Sequence, residues 1–383
     1  MGIYSTRFFR KRSRVFCVFP FLFSGWRDGD LYPADAGIYG KIVFAANLVD
    51  ICRAIGGFMY PFKLKPATKD YIWGGDRLKR EYGIDSPDSI VAEAWMLSCN
   101  VSGASTIMNG PLAGKSLADA LFSDVEKALG INNSFAVYFP ILIKFIDAKD
   151  DLSIQVHPGN GYALENEGEF GKTEMWYVLD AQEGSFLYYG FSRAVTREEM
   201  RERIENNTII EILNRVAVKK GDVFFIGAGT IHTIGKGIMI AEIQQNSDST
   251  YRVYDYNRTD SDGNKRELHI EKALDVTDTD FVPGVPKVHA SVKKPGYCVT
   301  RLASCEYFTV DHLSIDSFAK LACDGKSFTS LLFIEGSGSI LFNNREYGED
   351  GVIAVSKGDS LFLPAGTGGY RIEGRCSVLI TVR

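Results

Sequence analysis

The most informative segment of the sequence is KKGDVFFIGAGTIH, residues 219–232. Its strand-forming residues lie between glycines, so it predicts a strand, a turn and a second strand that begins with His232. A single histidine presented at a defined point of a β-structure is a candidate for metal binding or proton transfer. The search for partners of His232 therefore organises the rest of the chain.

The same stretch recurs near the C-terminus. KGDVFFIGAGT at 220–230 aligns without gaps on KGDSLFLPAGT at 357–367, and Gly369 stands where the first copy has His232. The repeated pattern resembles the second motif of the cupin superfamily, a small antiparallel barrel whose interior commonly holds a metal. The resemblance implies a mainly β protein with two cupin-type antiparallel barrels of the jelly-roll kind, of which the second lacks metal ligands.

An upstream segment supplies two more candidate ligands. LSIQVHP, residues 152–158, alternates apolar and polar residues. Period-two geometry puts Ser153, Gln155 and His157 on one face of a strand. Two side chains that can bind a metal, an amide and an imidazole, therefore point the same way.

A third segment supplies a carboxylate. KTEMWYVL, residues 172–179, is rich in strand-forming residues and carries Glu174. Two histidines and one carboxylate are a ligand set of catalytic zinc sites, and an amide oxygen is a weaker fourth ligand. The predicted metal ligands are Gln155, His157, Glu174 and His232. The alternative is a pair of hydrogen-bonded core histidines beside a solvated glutamate.

Composition excludes several classes of protein. The chain has 383 residues, a formal net charge of −5, 45% hydrophobic and 24% charged residues, which is typical of a soluble globular protein. The charge gives no reason to expect a nucleic-acid partner, and no apolar stretch has the length of a membrane span. Seven cysteines without a Cys-x-x-Cys pair favour neither disulfides nor a thiolate site, so a cytoplasmic location is expected.

The chain divides into three regions. Residues 1–58 carry a basic run and a short apolar run broken by Pro20, a poor signal peptide, and we expect an extension that is non-native or disordered. Residues 59–285 form the expected catalytic domain. Within it, Thr196 and Thr208 each precede a glutamate by three residues, which predicts an insert of two short helices. Residues 286–383 form the expected second barrel.

At this point the resemblance to one family becomes close. The motifs that carry it are YPFKL (60–64), YIWGG (71–75), QVHP (155–158), GKTEMWY (171–177), GTIH (229–232) and SDSTYRVYD (247–255). In this order they resemble the type I mannose-6-phosphate isomerases, particularly the short bacterial form. The resemblance implies a zinc enzyme that interconverts mannose 6-phosphate and fructose 6-phosphate through an enediolate. Its partner is then a small molecule, a hexose 6-phosphate.

The resemblance also suggests catalytic residues. Arg252 matches the arginine that the family uses as its catalytic residue, and a fixed cation near zinc would stabilise an enediolate or the substrate phosphate. Lys172 is a second candidate cation. Glu242, in the strand after His232, is a candidate proton carrier, with a structural carboxylate as the alternative. The sequence departs from the family pattern at Ala94, Met96, Asn100, Val101 and Gly227.

Two other functions stay open from the residues alone. One is a different metal-dependent cupin enzyme, such as an oxygenase that uses iron with the same ligands. The other is a non-enzymatic module that binds sugar phosphates. In the C-terminal copy of the repeat, Gly369 stands at the position of His232, and no histidine follows His312. We therefore expect no second histidine site, and one zinc ion per chain.

Overall fold

The computed structural model describes residues 59–122, 125–133, 138–259, 263–283, 289–342 and 351–383. These residues belong to one compact unit, Gly56–Arg383. The predicted N-terminal extension, residues 1–58, lies outside the described residues. Within the described ranges, no helix is long and apolar enough to cross a membrane.

Strands make up most of the regular structure, which confirms the mainly β prediction. In chain order they are β1 (Phe62–Lys65), β2 (Ala67–Lys69), β3 (Glu93–Leu97), β4 (Cys99–Asn100), β5 (Gly103–Ala104), β6 (Thr106–Ile107), β7 (Ile141–Ala148), β8 (Ile154–Val156), β9 (Glu174–Ala181), β10 (Phe186–Phe191), β11 (Leu213–Ala217), β12 (Val223–Ile226), β13 (His232–Ile234), β14 (Ile238–Gln245), β15 (Tyr251–Tyr254), β16 (Ser291–Lys294), β17 (Tyr297–Ser304), β18 (Thr309–Ile315), β19 (Phe318–Cys323), β20 (Thr329–Phe342), β21 (Val352–Ser356), β22 (Ser360–Leu363) and β23 (Gly368–Val382).

The helices are few and short. The α-helices are α1 (Arg77–Tyr82), α2 (Leu117–Phe122), α3 (Val125–Leu129), α4 (Asn160–Asn166), α5 (Arg197–Glu205) and α6 (Ile270–Val276), and the 3-10 helices are Ile131–Asn133 and Ile209–Ile212. The predicted insert is therefore one α-helix and one 3-10 turn. Thr196 caps α5 by accepting a hydrogen bond from the Glu199 amide at 3.1 Å. Thr208 makes no such side-chain cap, and only a short 3-10 turn follows it.

Two sheets enclose the central part of the molecule. A five-stranded sheet has the order β11-β10-β13-β8-β15, and a six-stranded sheet has the order β12-β9-β14-β7-β3-β2. Leu187 and Ile234 of the first sheet share one buried core with Trp176, Val178 and Ile240 of the second. Both sheets are antiparallel, so this core lies between two facing layers.

The other face of the six-stranded sheet packs on the C-terminal part of the chain. Because side chains alternate along a strand, Met175, Tyr177 and Ala241 point away from the first core. They share a second core with Leu332 and Phe362, which come from a ten-stranded sheet. A third core, formed only by residues after 296, fills the interior of that sheet.

The ten-stranded sheet also recruits the start of the described chain. Its main order is β16-β17-β18-β23-β20-β22-β1-β6, with β19 on β23 and β21 on β20. In β1, Phe62 is the register partner of Phe362 in β22. Strands from both ends of the described chain therefore complete one sheet.

The repeat seen in the sequence has the same backbone geometry in both copies. Gly221 and Gly358 have φ of 88° and 93°, a region that favours glycine. Asp222 accepts a hydrogen bond from the Lys219 amide at 2.9 Å, and Asp359 accepts one from the Ser356 amide at 2.7 Å. The two copies diverge only after the second turn, where one continues into His232 and the other into β23.

Candidate metal centre

The four predicted ligands meet between the five- and six-stranded sheets. Gln155 lies in β8 and is the register partner of His232, the first residue of β13. His157 follows β8, and Glu174 is the first residue of β9. One potential ligand atom from each of His157, Glu174 and His232 lies within 4.8 Å of the others, and all three residues are buried. The structure thus brings these predicted side chains together, and their role as metal ligands stays a prediction.

Each histidine is held by its Nδ1 and turns its Nε2 towards the cluster, where Lys172 Nζ lies 3.1 Å from Nε2 of His157. The Nδ1 of His157 lies 3.0 Å from the carbonyl oxygen of Ser249, and the Nδ1 of His232 lies 2.9 Å from that of Thr230. Since a carbonyl accepts only, each Nδ1 carries the proton and each Nε2 keeps a lone pair. Burial lowers the pKa of His232 to about 4 and, together with Lys172, holds that of His157 well below its usual value. Both imidazoles are therefore neutral, as metal binding requires.

The carboxylate of Glu174 lies between the two imidazoles. Its Oε1 is 3.4 Å from Nε2 of His232, and its Oε2 is 3.7 Å from Nε2 of His157. Lys172 Nζ forms an ion pair with Oε2 at 2.5 Å, whereas Oε1 has no hydrogen-bond partner among the described residues. Burial and the Glu242 carboxylate raise the pKa of Glu174. A buried carboxylate that faces two imidazole nitrogens, with one oxygen left without a hydrogen bond, fits a bound cation such as zinc.

Gln155 completes the set. Its Nε2 lies 3.4 Å from Nε2 of His232. A half-turn of the amide exchanges its nitrogen and oxygen, and would bring the oxygen to the same position as a fourth ligand atom. The positions of all four predicted ligands, including Gln155, are therefore compatible with a shared metal ion.

A line of buried charges extends from the ligands across the six-stranded sheet. Glu242 Oε1 lies between two lysines, 3.8 Å from Lys172 Nζ and 3.6 Å from Lys144 Nζ. Lys144 Nζ also lies 3.5 Å from Glu93 Oε2. Burial alone would raise the pKa of Glu242, but Lys172 and Lys144 outweigh it and lower that pKa. Glu242 is therefore ionised.

Lys144 and Glu93 were not among the predicted site residues. The available signal was Lys144 itself, a lone charge that interrupts the apolar run of β7. A lysine buried in a central strand needs carboxylate partners, and its strand neighbours supply them. Glu93 is held in turn by Trp95, whose Nε1 donates to Oε2 at 2.7 Å.

A cavity of about 260 Å³ opens beside these groups. It is lined by Tyr71, Trp73, Glu93, Lys144, Ile146, Leu152, Ser153, Gln155, Lys172, Ile234, Glu242, Asp248, Thr250, Arg252 and Arg266. The predicted site residues Gln155, Lys172, Glu242 and Arg252 thus line one cavity.

Arginines dominate one side of the cavity. Arg252 lies opposite Gln155 in the β15·β8 register, and its Nη1 donates to the Glu267 carbonyl at 2.8 Å. Its buried Nε has no hydrogen-bond partner among the described residues. Arg258 and Arg266 both pair with Asp255. Arg252 and Arg266 both line the cavity, and two guanidinium groups at one place suit an anion.

Family comparisons agree with this geometry. A family model described as phosphomannose isomerase type I, catalytic domain, matches residues 61–184, and one described as mannose-6-phosphate isomerase, cupin domain, matches residues 299–382. A mannose-6-phosphate isomerase of Streptococcus mutans is 39% identical over 319 residues, which are 83% of this chain and 97% of that protein. The chain belongs to the type I mannose-6-phosphate isomerase family. It is therefore an enzyme, an aldose–ketose isomerase, and the oxygenase and binding-module alternatives gain no support.

Further relatives agree. A mannose-6-phosphate isomerase of Bacillus subtilis is 37% identical over 330 residues, covering 84% of this chain and 98% of that protein. The crystal structure of the mannose 6-phosphate isomerase from Bacillus subtilis matches with a TM-score of 0.76 at 36% identity, over 84% of this chain and 99% of that one. A zinc-bound mannose 6-phosphate isomerase shares the fold, with a TM-score of 0.67 at 18% identity over 84% of this chain and 99% of that one.

Proposed function

We propose that this isomerase interconverts mannose 6-phosphate and fructose 6-phosphate with one zinc ion per chain. The proposed zinc ligands are Gln155, His157, Glu174 and His232. The observation that carries the proposal is the buried cluster of His157, Glu174 and His232, in which the Glu174 carboxylate lies between the Nε2 atoms of two imidazoles and its Oε1 has no hydrogen bond among the described residues. The relatives named above, and the zinc reported for one protein of the same fold, support the substrate and the metal.

The reaction moves a proton between C1 and C2 of the sugar. When bound, zinc supplies a Lewis acid that polarises a carbonyl oxygen. Glu242 carries the proton in our proposal, because its ionised Oε1 lines the cavity and has no hydrogen bond among the described residues. Its Oε2 accepts a hydrogen bond from Trp176 Nε1 at 2.8 Å, which fixes the direction of the carboxylate.

Lys172 lies between the Glu174 and Glu242 carboxylates. An ammonium in this buried position stabilises negative charge that develops on a substrate oxygen of the enediolate. It also keeps Glu242 ionised and so ready to accept a proton.

Arg252 and Arg266 bind the 6-phosphate in our proposal. Both line the cavity, and the unpartnered Nε of Arg252 is a free donor for a phosphate oxygen. Arginine suits this task because its planar fork matches phosphate geometry. Ser153 and Thr250 line the same cavity and offer hydroxyl donors.

We also propose that the sheets form two cupin barrels. The facing five- and six-stranded sheets belong to the catalytic domain, residues 59–285, and the ten-stranded sheet belongs largely to the second domain, residues 286–383. The matched turns at Gly221 and Gly358 support a common origin of the two barrels.

The test is a coupled assay of fructose 6-phosphate formation from mannose 6-phosphate. We expect a chelator to abolish activity and added zinc to restore it. His157→Ala should lose both zinc and activity, whereas the control His289→Ala should keep both, since His289 is bonded to the carbonyl of Arg301 and does not line the cavity. Full activity in metal-free protein would contradict the proposal.

A further inference from the structure

An asparagine outside the ligand set connects the segments that carry the ligands. Asn160 begins α4, just after His157. Its Oδ1 accepts hydrogen bonds from the Gly171 amide at 2.9 Å and from Gln245 Nε2 at 3.0 Å. Gly171 begins the segment that continues into Lys172 and Glu174. The Asn160 side chain therefore connects the turn that follows His157 to the segment that precedes Glu174.

Gln245, at the end of the neighbouring strand β14, holds the same segment before Glu174. Its side-chain Oε1 accepts a hydrogen bond from the backbone amide of Thr173 at 2.9 Å. The backbone amide of Gln245 donates to the Thr173 carbonyl at 3.1 Å. Both backbone groups of the residue before Glu174 are thus held by one buried glutamine. The position of the Glu174 backbone follows from this pairing.

The two ligand-bearing segments are in direct backbone contact. The Lys172 amide donates to the Pro158 carbonyl at 3.0 Å. A Cβ at Gly171 would lie 2.5 Å from the Asn160 nitrogen, so only glycine permits this approach. There is no room for a larger side chain at 171 without moving His157 and Glu174 apart.

The second domain reaches this network through one phenol. Asn160 Nδ2 donates a hydrogen bond to the Tyr307 hydroxyl at 3.3 Å. Tyr307 lies between β17 and β18, inside the region matched by the cupin-domain family model. The part of the chain that contributes none of the predicted metal ligands thus touches the residue that connects the ligand segments.

We propose that Asn160 and Gln245 are positioning residues for the metal centre, and that Tyr307 makes the second domain part of this support. The inference rests on the zinc site of the proposed function. Zinc–oxygen and zinc–nitrogen bonds are only about 2.0–2.2 Å long, so a small shift of the Glu174 segment relative to His157 weakens the site. Outer contacts that orient ligands typically contribute 10- to 100-fold in metal affinity.

The experiment measures zinc release to a colorimetric chelator, with circular dichroism to check the fold. Asn160→Leu removes every hydrogen bond of the side chain and should release zinc about tenfold faster. Asn160→Asp keeps an acceptor oxygen for Gly171 and Gln245, and should restore the wild-type rate. Visible spectra of the cobalt-substituted proteins should change in Asn160→Leu and not in Asn160→Asp, because they report ligand geometry.

The role of the second domain has its own variant pair. Tyr307→Phe removes only the hydroxyl that meets Asn160, and should speed zinc release about threefold, as expected for one neutral hydrogen bond. The control is Tyr162→Phe, which removes a phenol bonded to Asp275 and should release zinc at the wild-type rate.

If Asn160→Leu does not fold, Gln245→Glu decides the role of the pair. The glutamate keeps an acceptor oxygen for the Thr173 amide, but its second oxygen replaces the amide nitrogen that donates to Asn160 Oδ1. Because two acceptor oxygens cannot form a hydrogen bond, this contact is lost and zinc release should again be faster. Wild-type release rates in folded Asn160→Leu, Gln245→Glu and Tyr307→Phe would overturn this inference and leave the proposed function standing. A wild-type chain that takes up no zinc would overturn the proposed function and this inference with it.

Discussion

Glu174 and Glu242 are both buried carboxylates, yet their surroundings differ. The oxygens of Glu174 face His157 and His232, whereas Glu242 is held by Trp176 and faces two lysines. The first arrangement suits a metal ligand, because imidazole lone pairs and a carboxylate converge. The second suits a proton carrier, because one oxygen is fixed and the other faces the cavity.

This difference predicts opposite behaviour of two matched variants. Glu242→Gln should keep its zinc while kcat falls by about 10²–10⁴, the usual contribution of a proton-transfer group. Glu174→Gln, with the same change in charge, should lose zinc. Elemental analysis and steady-state kinetics of both variants make the comparison. Loss of zinc in Glu242→Gln would show that this residue supports the metal instead.

Arg252 should determine affinity for the phosphate. Arg252→Gln should raise KM for mannose 6-phosphate roughly 10- to 100-fold, as expected for a lost charge-assisted hydrogen bond, and leave zinc in place. The control is Arg201→Gln, an arginine that pairs with Glu271 outside the cavity. An unchanged KM with a reduced kcat would instead assign Arg252 to the enediolate.

Local sequence patterns predicted the cluster of candidate ligands better than the charges around it. Gln155 and His157 were proposed as ligands because a two-residue period fixes which side chains share a face. Lys144 and Glu93 were not predicted because their meeting depends on which strands become neighbours in the sheet, and that is a long-range property. Arg266 was not predicted either, since no local pattern places it beside Arg252 in the cavity.

The turns and strands of the repeated segment were predicted most accurately from the sequence. Both copies of the repeat form the expected turn and strand, and Gly83 ends α1 with φ of 65° as a C-cap. The Thr208 segment shows the limit of such signals. Its capping-box spacing predicted a helix, but only a 3-10 turn formed, because the chain enters β11 directly afterwards.

The repeat allows a test with an internal control. Gly229 and Gly366 have φ of 86° and 79°, so alanine at either position should cost about 1–2 kcal/mol of stability. At Gly229 the added Cβ would also lie 2.9 Å from the Val276 carbonyl oxygen, whereas at Gly366 nothing lies within 4 Å. Because the Gly229 turn leads into His232, only Gly229→Ala should weaken zinc binding. Equal zinc affinity in both variants, measured by chelator competition, would contradict this reading.

At the level of the whole molecule, the shared ten-stranded sheet could not be predicted from sequence. The pairing of β1 with β22 joins residues about 300 positions apart, and no local pattern specifies such a partner. The repeat and the family resemblance indicated cupin architecture. They did not indicate that the first strand of the described chain would complete the sheet of the second domain.

This pairing predicts that the catalytic domain depends on the second one. A chain ending at Pro283 would lose Phe362 and Leu332 and expose the apolar face formed by Met175 and Tyr177, so we expect it to be insoluble or unfolded. As a control, a chain beginning at Met59 keeps every residue of that core and should stay active. A soluble, fully active chain ending at Pro283 would show that the second domain supports neither fold nor cavity.

The dependence of this isomerase on zinc can be measured by titrating chelator-treated protein with zinc and assaying mannose 6-phosphate turnover at each step. We expect activity to rise in proportion to added zinc and to saturate at one ion per chain, with no uptake by His232→Ala. Saturation at two ions per chain, or activity that is independent of zinc, would contradict this expectation.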